Sequence, residues 1–302
     1  MNNLNLHKGK PIWKSKKYSV VDCIRCGFCH LNPIPELKDL EKMYAHHFYQ
    51  SMKPKYIKKD ESELSYWNIT FDDKLDTIES KIRKKKKKIL DIGCGPGFFL
   101  KRAKERGWNV LGVEPSTTAA RYAKSNGIPI IESLFEQYQS HTSDKFDAIH
   151  SKFLLEHVID PSGTCKSCYN LLNKGGIVCF EVPNDFNILQ NIVIKTMKKP
   201  YYWVASPEHV NYFTPKSLTS LLRKSGFKIV YTESTFPLEL FLLFGLDYVG
   251  NDKVGQKIHG MRMKLETAIR SSGYNELKRE LYNYLAHKGL GREFIVYAQK
   301  NK

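Results

Sequence analysis

The sequence predicts an α/β protein built on a doubly wound, mostly parallel sheet. Two observations carry that expectation. From Lys88 onward, short apolar runs alternate with amphipathic stretches closed by Gly or Asn-Gly, the pattern of strands and helices in a sheet covered on both faces. The first of these runs, Lys88-Ile89-Leu90-Asp91-Ile92-Gly93, stops at a glycine-rich turn and a helix follows, which marks a buried strand. The 302 residues suffice for one large domain or two ordinary ones, with a real core.

The elements follow in order. The first eighty or so residues are polar, aromatic and irregular, with Cys23, Cys26 and Cys29, then Tyr44, Tyr49, Tyr56, Tyr66 and Trp67. Helices are expected at Glu36–Tyr49 and Asp72–Lys81, and the basic block Arg83–Lys88 reads as a linker or helix end. After the strand at Lys88–Gly93 comes a helix, Phe98–Arg106, ended by Gly107. A second strand spans Asn109–Glu114, and a second helix, Ser116–Ser125, ends at Asn126-Gly127. Ile128–Glu132 and Phe146–Ser151 are the third and fourth strands. Asp160-Pro161-Ser162 opens a helix that closes at Lys174-Gly175-Gly176, and Ile177–Val182 is the fifth strand. The stretch 184–209 is too long for a plain connection and reads as a functional insertion. Pro215–Ser225 is a helix ended by Gly226, Phe227–Glu233 a sixth strand, Phe236–His287 added helices, and Glu293–Gln299 a seventh strand. No internal repeat is present. The organisation expected is an N-terminal cap over 1–82 and a sheet domain over 83–302, with insertions at 184–209 and 236–288.

Composition excludes several classes. At 41% hydrophobic and 12% aromatic the chain is not a disordered tail. No run approaches the roughly 20 apolar residues of a membrane span; the richest, Phe236–Gly250, holds Pro237, Glu239 and Asp247. Met1–Lys10 does not resemble a signal peptide. Seven cysteines is an odd number, and three of them crowd into Cys23–Cys29, which argues for reduced thiols and a cytoplasmic location. Lys and Arg number 48 against 31 Asp and Glu, a net charge of +17. Such a charge suits a nucleic-acid or anionic-membrane partner, but most of it is scattered Lys, the usual solvated residue. The one dense block precedes the first sheet strand and so lies at its amino end, whereas ligands bind at the carboxyl ends. No nucleic-acid partner and no membrane span are expected, and the charge could still help attract a phosphate-bearing acceptor.

The strongest chemical signal is Asp91-Ile92-Gly93-Cys94-Gly95-Pro96-Gly97, a strand running into a glycine turn and a helix. Glycine there permits positive φ and close ligand approach. It is not the dinucleotide fingerprint, since bulky Leu100 stands where that pattern needs a small residue. Glu114 ends the next strand, 23 residues after Asp91, and a carboxylate there can accept both hydroxyls of a ribose. These residues resemble the class I S-adenosylmethionine-dependent methyltransferases. The resemblance continues through Phe146-Asp147-Ala148-Ile149, Leu155-Glu156-His157-Val158-Ile159-Asp160-Pro161, Lys174-Gly175-Gly176, Glu181-Val182-Pro183-Asn184 and Ser225-Gly226-Phe227, over roughly residues 85–235. It implies a seven-stranded sheet with the last strand antiparallel and S-adenosyl-L-methionine as cofactor. It also implies that Asp91, Gly93, Gly95 and Gly97 surround the methionine end, with Cys94, a small packing residue, and Phe98 also in the cofactor-binding turn. Glu114 holds the ribose, Pro115 and Ser116 line the adenine edge, Ser133 and Leu134 contact adenine, and Ser151 and Lys152 lie beside the methionine moiety.

Methyl transfer from a sulfonium is an in-line displacement, so the enzyme mainly supplies position. A hydroxyl nucleophile also needs a general base, and His is poised near neutral pH. His209 lies in Ser206-Pro207-Glu208-His209-Val210-Asn211-Tyr212-Phe213-Thr214-Pro215, which resembles a stretch of methyltransferases acting on sugars and small metabolites. In the zinc-bearing sugar C-methyltransferases among them the matching Glu-His pair lies in the active site and the His is the favoured base, against the alternative of a buried His that orients the loop. His157 reads as a structural or substrate-orienting residue, and Glu208 as an orienting carboxylate or a helix cap. His150-Ser151-Lys152-Phe153 stands where base-modifying amino methyltransferases carry Asp/Asn-Pro-Pro-Tyr/Phe, which disfavours that route.

Cys23-x-x-Cys26-Gly27, Leu31-Asn32-Pro33 and Tyr44 resemble the second half of a zinc ribbon at the front of sugar-modifying methyltransferases. No Cys precedes Cys23. Cys29, His30 and His7 could complete four ligands at irregular spacing, so the expectation is a degenerate ribbon without metal. Cys165-x-x-Cys168 falls on a helix and reads as core. Tyr66 and Trp67 either form a lid or pack on the sheet, and Phe241–Phe244 either line an acceptor pocket or bury a helix. The function expected is O-methylation of a sugar, nucleotide sugar or similar polar metabolite in surface-glycan synthesis. C-methylation of a keto sugar, RNA or protein methylation, and cofactor binding without catalysis are the rivals.

Overall fold

The computed structural model describes residues 7–42, 55–82 and 87–301. In chain order the elements are β1 (Gly9–Lys14), β2 (Ser19–Cys23), β3 (Phe28–Asn32), α1 (Leu37–Lys42), α2 (Tyr56–Ser62), α3 (Leu64–Lys81), β4 (Lys88–Ile92), α4 (Phe98–Glu105), β5 (Asn109–Val113), α5 (Thr117–Ser125), β6 (Ile130–Ile131) and α6 (Phe135–His141). They continue with β7 (Phe146–Lys152), α7 (Pro161–Leu171), β8 (Leu172–Pro183), α8 (Ile188–Met197), β9 (Asn211–Tyr212), α9 (Pro215–Lys224), β10 (Phe227–Ser234), α10 (Glu239–Leu243), α11 (Asp252–Ser271), α12 (Asn275–Lys288) and β11 (Glu293–Lys300).

Two sheets form. The larger has seven strands in the order β10-β11-β8-β7-β4-β5-β6, mostly parallel with the last strand of the chain antiparallel, as the sequence predicts. From β4 the chain builds outward through β5 to β6, then returns to pair β7 on the other side of β4. The order therefore reverses between β4 and β7, and such switch points open a crevice at the strands' carboxyl ends. The smaller sheet, β1-β2-β3-β9, is antiparallel.

Contacts divide the described residues into two compact units. One comprises residues up to 34 with 181–221 and 231–296, and the other comprises 35–180 with 222–230 and those from 297 onward. Residues up to 34 thus group with the two insertions, and 55–82 with the sheet's front half. In the second unit, Ile89, Leu90, Ile92, Phe146, Ala148 and Ile149 are essentially inaccessible, which is why these strands read as continuous apolar runs. Ser116 caps α5 by accepting from the N–H of Ala119, and Ala119, Ala120 and Ala123 give that helix a buried face. Asp160 caps α7 through the N–H of Gly163, with Pro161 at the first helical position. Cys165 and Cys168 on α7 are fully buried, the core role expected of them.

Four differences from the sequence reading have physical causes. The segment before residue 35 is not irregular, because short antiparallel strands form across the Cys-rich turn. The helix expected at Asp72–Lys81 begins at Leu64, since Phe71, Leu75 and Ile78 continue a buried stripe from Tyr66. The third strand shrinks to Ile130–Ile131, because Pro129 has no N–H to donate to a ladder. The short helix α6 is unanticipated, being polar apart from Phe135 and Tyr138. Of the helix expected at Glu36–Tyr49, α1 is seen, while Tyr44 and Tyr49, like Arg83, Lys84, Lys85 and Lys86 of the basic block, lie outside the described residues. Among the described residues no helix is long and apolar enough to cross a membrane.

Candidate active site

The glycine turn and Glu114 meet as their spacing requires. Gly93, Gly95 and Gly97 all take positive φ (70°, 53° and 78°), conformations that cost a side-chain-bearing residue. The turn is held by the N–H of Gly93 donating to Val113 O at 2.8 Å. Glu114 directly follows β5 and is only 6% exposed. Its Oε2 accepts from the N–H of Gly95 and its Oε1 from the N–H of Ser116, both at 2.9 Å. Burial pushes its carboxyl up to about 7, those two hydrogen bonds oppose the rise, and the charge of Asp91 adds to it. Cys94 is buried and its thiol is raised well above the ordinary range, first by burial and then by Asp91 and Glu114. Its Sγ fills the space that a Cβ at Gly112 would take. Cys94 therefore packs and does not attack.

Asp91 is oriented from the neighbouring strand. β4 and β7 pair with Asp91 opposite His150, and His150 Nδ1 lies 2.7 Å from Asp91 Oδ1. The carboxylate accepts the ring N–H, and the imidazole stacks on Phe99 at 3.8 Å between centroids. No local spacing in the sequence announces the partnership of His150 with Asp91, because it comes from strand register. Ser151 Oγ donates to Ile92 O at 2.9 Å, tying β7 to the base of the glycine turn. The Lys152 ammonium lies 4.5 Å over the ring of Trp67 and 4.9 Å over that of Phe153. The first turn of α3 thus stands at the end of β7, while Tyr66 beside Trp67 is buried. Phe98 is half-buried with its ring on Tyr122, Pro115 is half-buried, and Ser133 Oγ donates to Leu134 O at the head of α6.

S-adenosylmethionine suits this set. Two buried carboxylates, Asp91 and Glu114, flank a glycine turn whose positive-φ residues carry no side chain to block a ligand. The ligand carries a sulfonium and an ammonium, which relieve the mutual repulsion of those carboxylates. In the same unit, Glu156 follows β7 and is buried, with its Oε1 3.9 Å from Nε2 of His157.

Glu208 and His209 belong to the other compact unit, just before β9. The His209 N–H donates to Ala205 O at 2.7 Å, and the rings of His209 and Tyr212 lie 6.2 Å apart. Beside them is a polar, aromatic cluster that sequence reasoning missed. Asp185 and Glu239 are 2% and 0% exposed. Arg292 Nη1 donates to Glu239 Oε1 at 3.0 Å. Burial pushes the Asp185 carboxyl up to about 7, with Arg292 opposing and Glu239 adding. Burial, then the neighbouring carboxylates, also raises the hydroxyls of Tyr202, Tyr212 and Tyr248. Asp185 Oδ2 and Glu239 Oε2 are buried and find no hydrogen-bond partner among the described residues. The rings of Phe186, Tyr201, Trp203 and Tyr212 pack edge to face nearby. These residues come from six separate stretches of the chain, so no local spacing announces them. Phe241 in α10 is buried, and Phe244, just past its end, is exposed.

Comparison with known proteins places this geometry. A family model described as a methyltransferase domain matches residues 66–232. A ubiquinone biosynthesis O-methyltransferase of Actinobacillus pleuropneumoniae serotype 7 (strain AP76) is 31% identical over 140 residues, covering 43% of this chain and 56% of the relative. The chain spans about half the length of the curated relatives it matches. Among solved structures, a SAM-dependent methyltransferase from Archaeoglobus fulgidus superposes with a TM-score of 0.54 at 18% identity, covering 81% of this chain and 99% of that one. The plantazolicin methyltransferase BamL, solved with SAH, also gives 0.54 at 18% identity, covering 88% and 98%. At that identity these two establish the fold.

Proposed function

Because the chain belongs to the methyltransferase-domain family, whose members take their methyl group from S-adenosylmethionine, we propose that it methylates a hydroxyl oxygen of a polyhydroxylated acceptor, a sugar or nucleotide sugar. The observation that carries this reading is the buried cluster beside His209. Asp185 Oδ2 and Glu239 Oε2 are acceptors with open valences, Tyr202, Tyr212 and Tyr248 add hydroxyls, and aromatic edges surround them. Such a set suits a ligand with several O–H donors, because a buried carboxylate oxygen left without a donor is costly. The Pro207–Pro215 segment, with its likeness to sugar-modifying enzymes, supports the same acceptor.

When bound, the cofactor supplies an electrophilic methyl group on a sulfonium sulfur. Asp91, braced by His150, and Glu114, braced by Gly95 and Ser116, fix its two ends. His209 takes the acceptor's hydroxyl proton on its imidazole, and Glu208, whose charge reaches Tyr212, helps orient it. Asp185 and Glu239 hold further hydroxyls of the acceptor. His157, next to buried Glu156, positions rather than transfers.

A second reading follows from the names of the curated relatives, which place them in ubiquinone biosynthesis and would make the acceptor the hydroxyl of an aromatic ring. The two are separated by incubating the protein with methyl-labelled S-adenosylmethionine and two acceptor panels, nucleotide sugars with glycan precursors and hydroxylated aromatics. Label on a sugar oxygen is expected. Label confined to the aromatic panel would establish the second reading, and label on a sugar carbon would establish C-methylation.

A further inference from the structure

The N-terminal hairpin holds a side-chain cluster that the transfer chemistry does not use. β2 and β3 pair with Val21 opposite His30 and Cys23 opposite Phe28. Cys23 and His30 therefore share one face, while Cys29, opposite Asp22, takes the other. There Cys29 packs on Val20, Leu31 and Tyr212. The turn Cys23-Ile24-Arg25-Cys26-Gly27 closes with the Gly27 N–H donating to Cys23 O at 2.9 Å. β1 pairs with β2 with Gly9 opposite Cys23, and the Ile24 N–H donates to Lys8 O at 3.1 Å, which carries His7 up to the turn. A Cβ at Gly9 would collide with the Asp22 carbonyl, so this approach depends on glycine.

Three segments thus converge on one point. His7 Nδ1 lies 3.7 Å from Cys23 Sγ, 3.4 Å from Cys26 Sγ and 3.1 Å from His30 Nε2. All four donor atoms fall within 4.8 Å of one another. A tetrahedral zinc ion with two thiolates and two imidazoles sets its ligand atoms about 3.3–3.8 Å apart, so the cluster stands at or beside that geometry. His30 Nδ1 lies 2.8 Å from Leu31 O; donating there fixes the tautomer and leaves Nε2 with its lone pair for a metal. Cys23 and His30 are 1% and 2% exposed, which suits a closed structural site rather than a catalytic one with an open position.

We propose that His7, Cys23, Cys26 and His30 bind a structural zinc ion, the two thiols giving up their protons to solvent. The site departs from the metal-free ribbon that the spacing of the cysteines suggests, because histidines from outside the Cys-x-x-Cys turn complete it. It also braces a functional strand. His30 pairs with Asn211 and the Leu31 N–H donates to Val210 O at 2.8 Å, so the metal-bound hairpin fixes the residues that follow His209. That last consequence rests on His209 being the base, whereas metal content reads the site whatever the acceptor is.

The test uses the full chain, produced in zinc-supplemented medium and desalted. Elemental analysis should find about one zinc per chain, and the metal-stripped protein titrated with Co(II) should show the strong visible bands of tetrahedral cobalt with thiolate charge transfer. The double variant C23S/C26S should lose both, and C29S should keep both. Should C23S/C26S fail to fold, H7A, which alters a residue outside every strand, should lower zinc affinity at least tenfold. Wild-type protein with under a tenth of an equivalent of zinc and no cobalt spectrum would overturn the site, as would full zinc retention in C23S/C26S or H7A. Stripping zinc should lower kcat several-fold while leaving S-adenosylhomocysteine affinity unchanged, and an unchanged kcat would remove the brace.

Discussion

Glu114 carries two opposed demands. Burial favours its neutral form, while the N–H groups of Gly95 and Ser116 favour the anion. Its carboxyl is raised to about 7, so the stability it contributes is present below the ordinary carboxylate range and is lost as pH rises through about 7. In its proposed role as acceptor for the ribose hydroxyls Glu114 must be ionised, so S-adenosylhomocysteine affinity in calorimetry should weaken as pH falls from 8 to 6. His209 makes a different prediction. Replacing it with Ala should cut turnover by about 10²–10⁴-fold and leave cofactor affinity intact, and unchanged turnover would remove it as the base. Residues whose role is local were legible in the sequence, since only glycine tolerates the turn at 93–97 and the carboxylate follows at a fixed spacing. His150 was not, because it meets Asp91 only through the pairing of two strands 59 residues apart. Asp185, Glu239 and Arg292 were hidden for the same reason.

Among the elements, α3 shows how a polar seam docks a helix. Arg102 bonds Asp72 and Glu105, and Arg106 bonds Asp72, Asp76 and Glu79 at 2.6–3.0 Å, while Trp108 Nε1 donates to Glu79. Burial pushes the Asp72 and Glu79 carboxyls up, but the arginines, with Trp108 and Lys87 helping Glu79, override it and hold both below their ordinary values. Their stability contribution is therefore present above the ordinary carboxylate range and is lost as pH falls below it. Substituting Asp72 with Asn should cost about 1–2 kcal/mol in denaturant unfolding at pH 7, with a much smaller difference from wild type near pH 3. An equal difference at both pH values would contradict the ionic account. The sheet's strands were legible because buried parallel strands are unbroken apolar runs. The edge strand β6, the polar helix α6 and the short strands β1 to β3 lack that signature and are made by tertiary contacts.

At the scale of the whole molecule, the net charge of +17 invites a polyanion. The described part of the basic block speaks against it. Lys87 pairs with Glu79 and lies over Trp108, and Lys88 pairs with Asp144 and lies over Phe146. These lysines are occupied within the fold at the amino end of β4, away from the carboxyl ends where the glycine turn lies. Turnover on a small acceptor should accordingly change less than about threefold between 50 and 200 mM salt, whereas a polyphosphate target would lose about 10³-fold or more in affinity. All of this depends on the cofactor being held where Glu114 meets the glycine turn. Calorimetric titration of S-adenosylhomocysteine into wild-type protein and E114Q at pH 8, with circular dichroism confirming that both are folded, reads that dependence directly. One site per chain in wild type and at least a tenfold weaker Kd in E114Q, from hydrogen bonds to a charged group worth about 1.5–3 kcal/mol, is the expected result; equal affinity in the two proteins would contradict it.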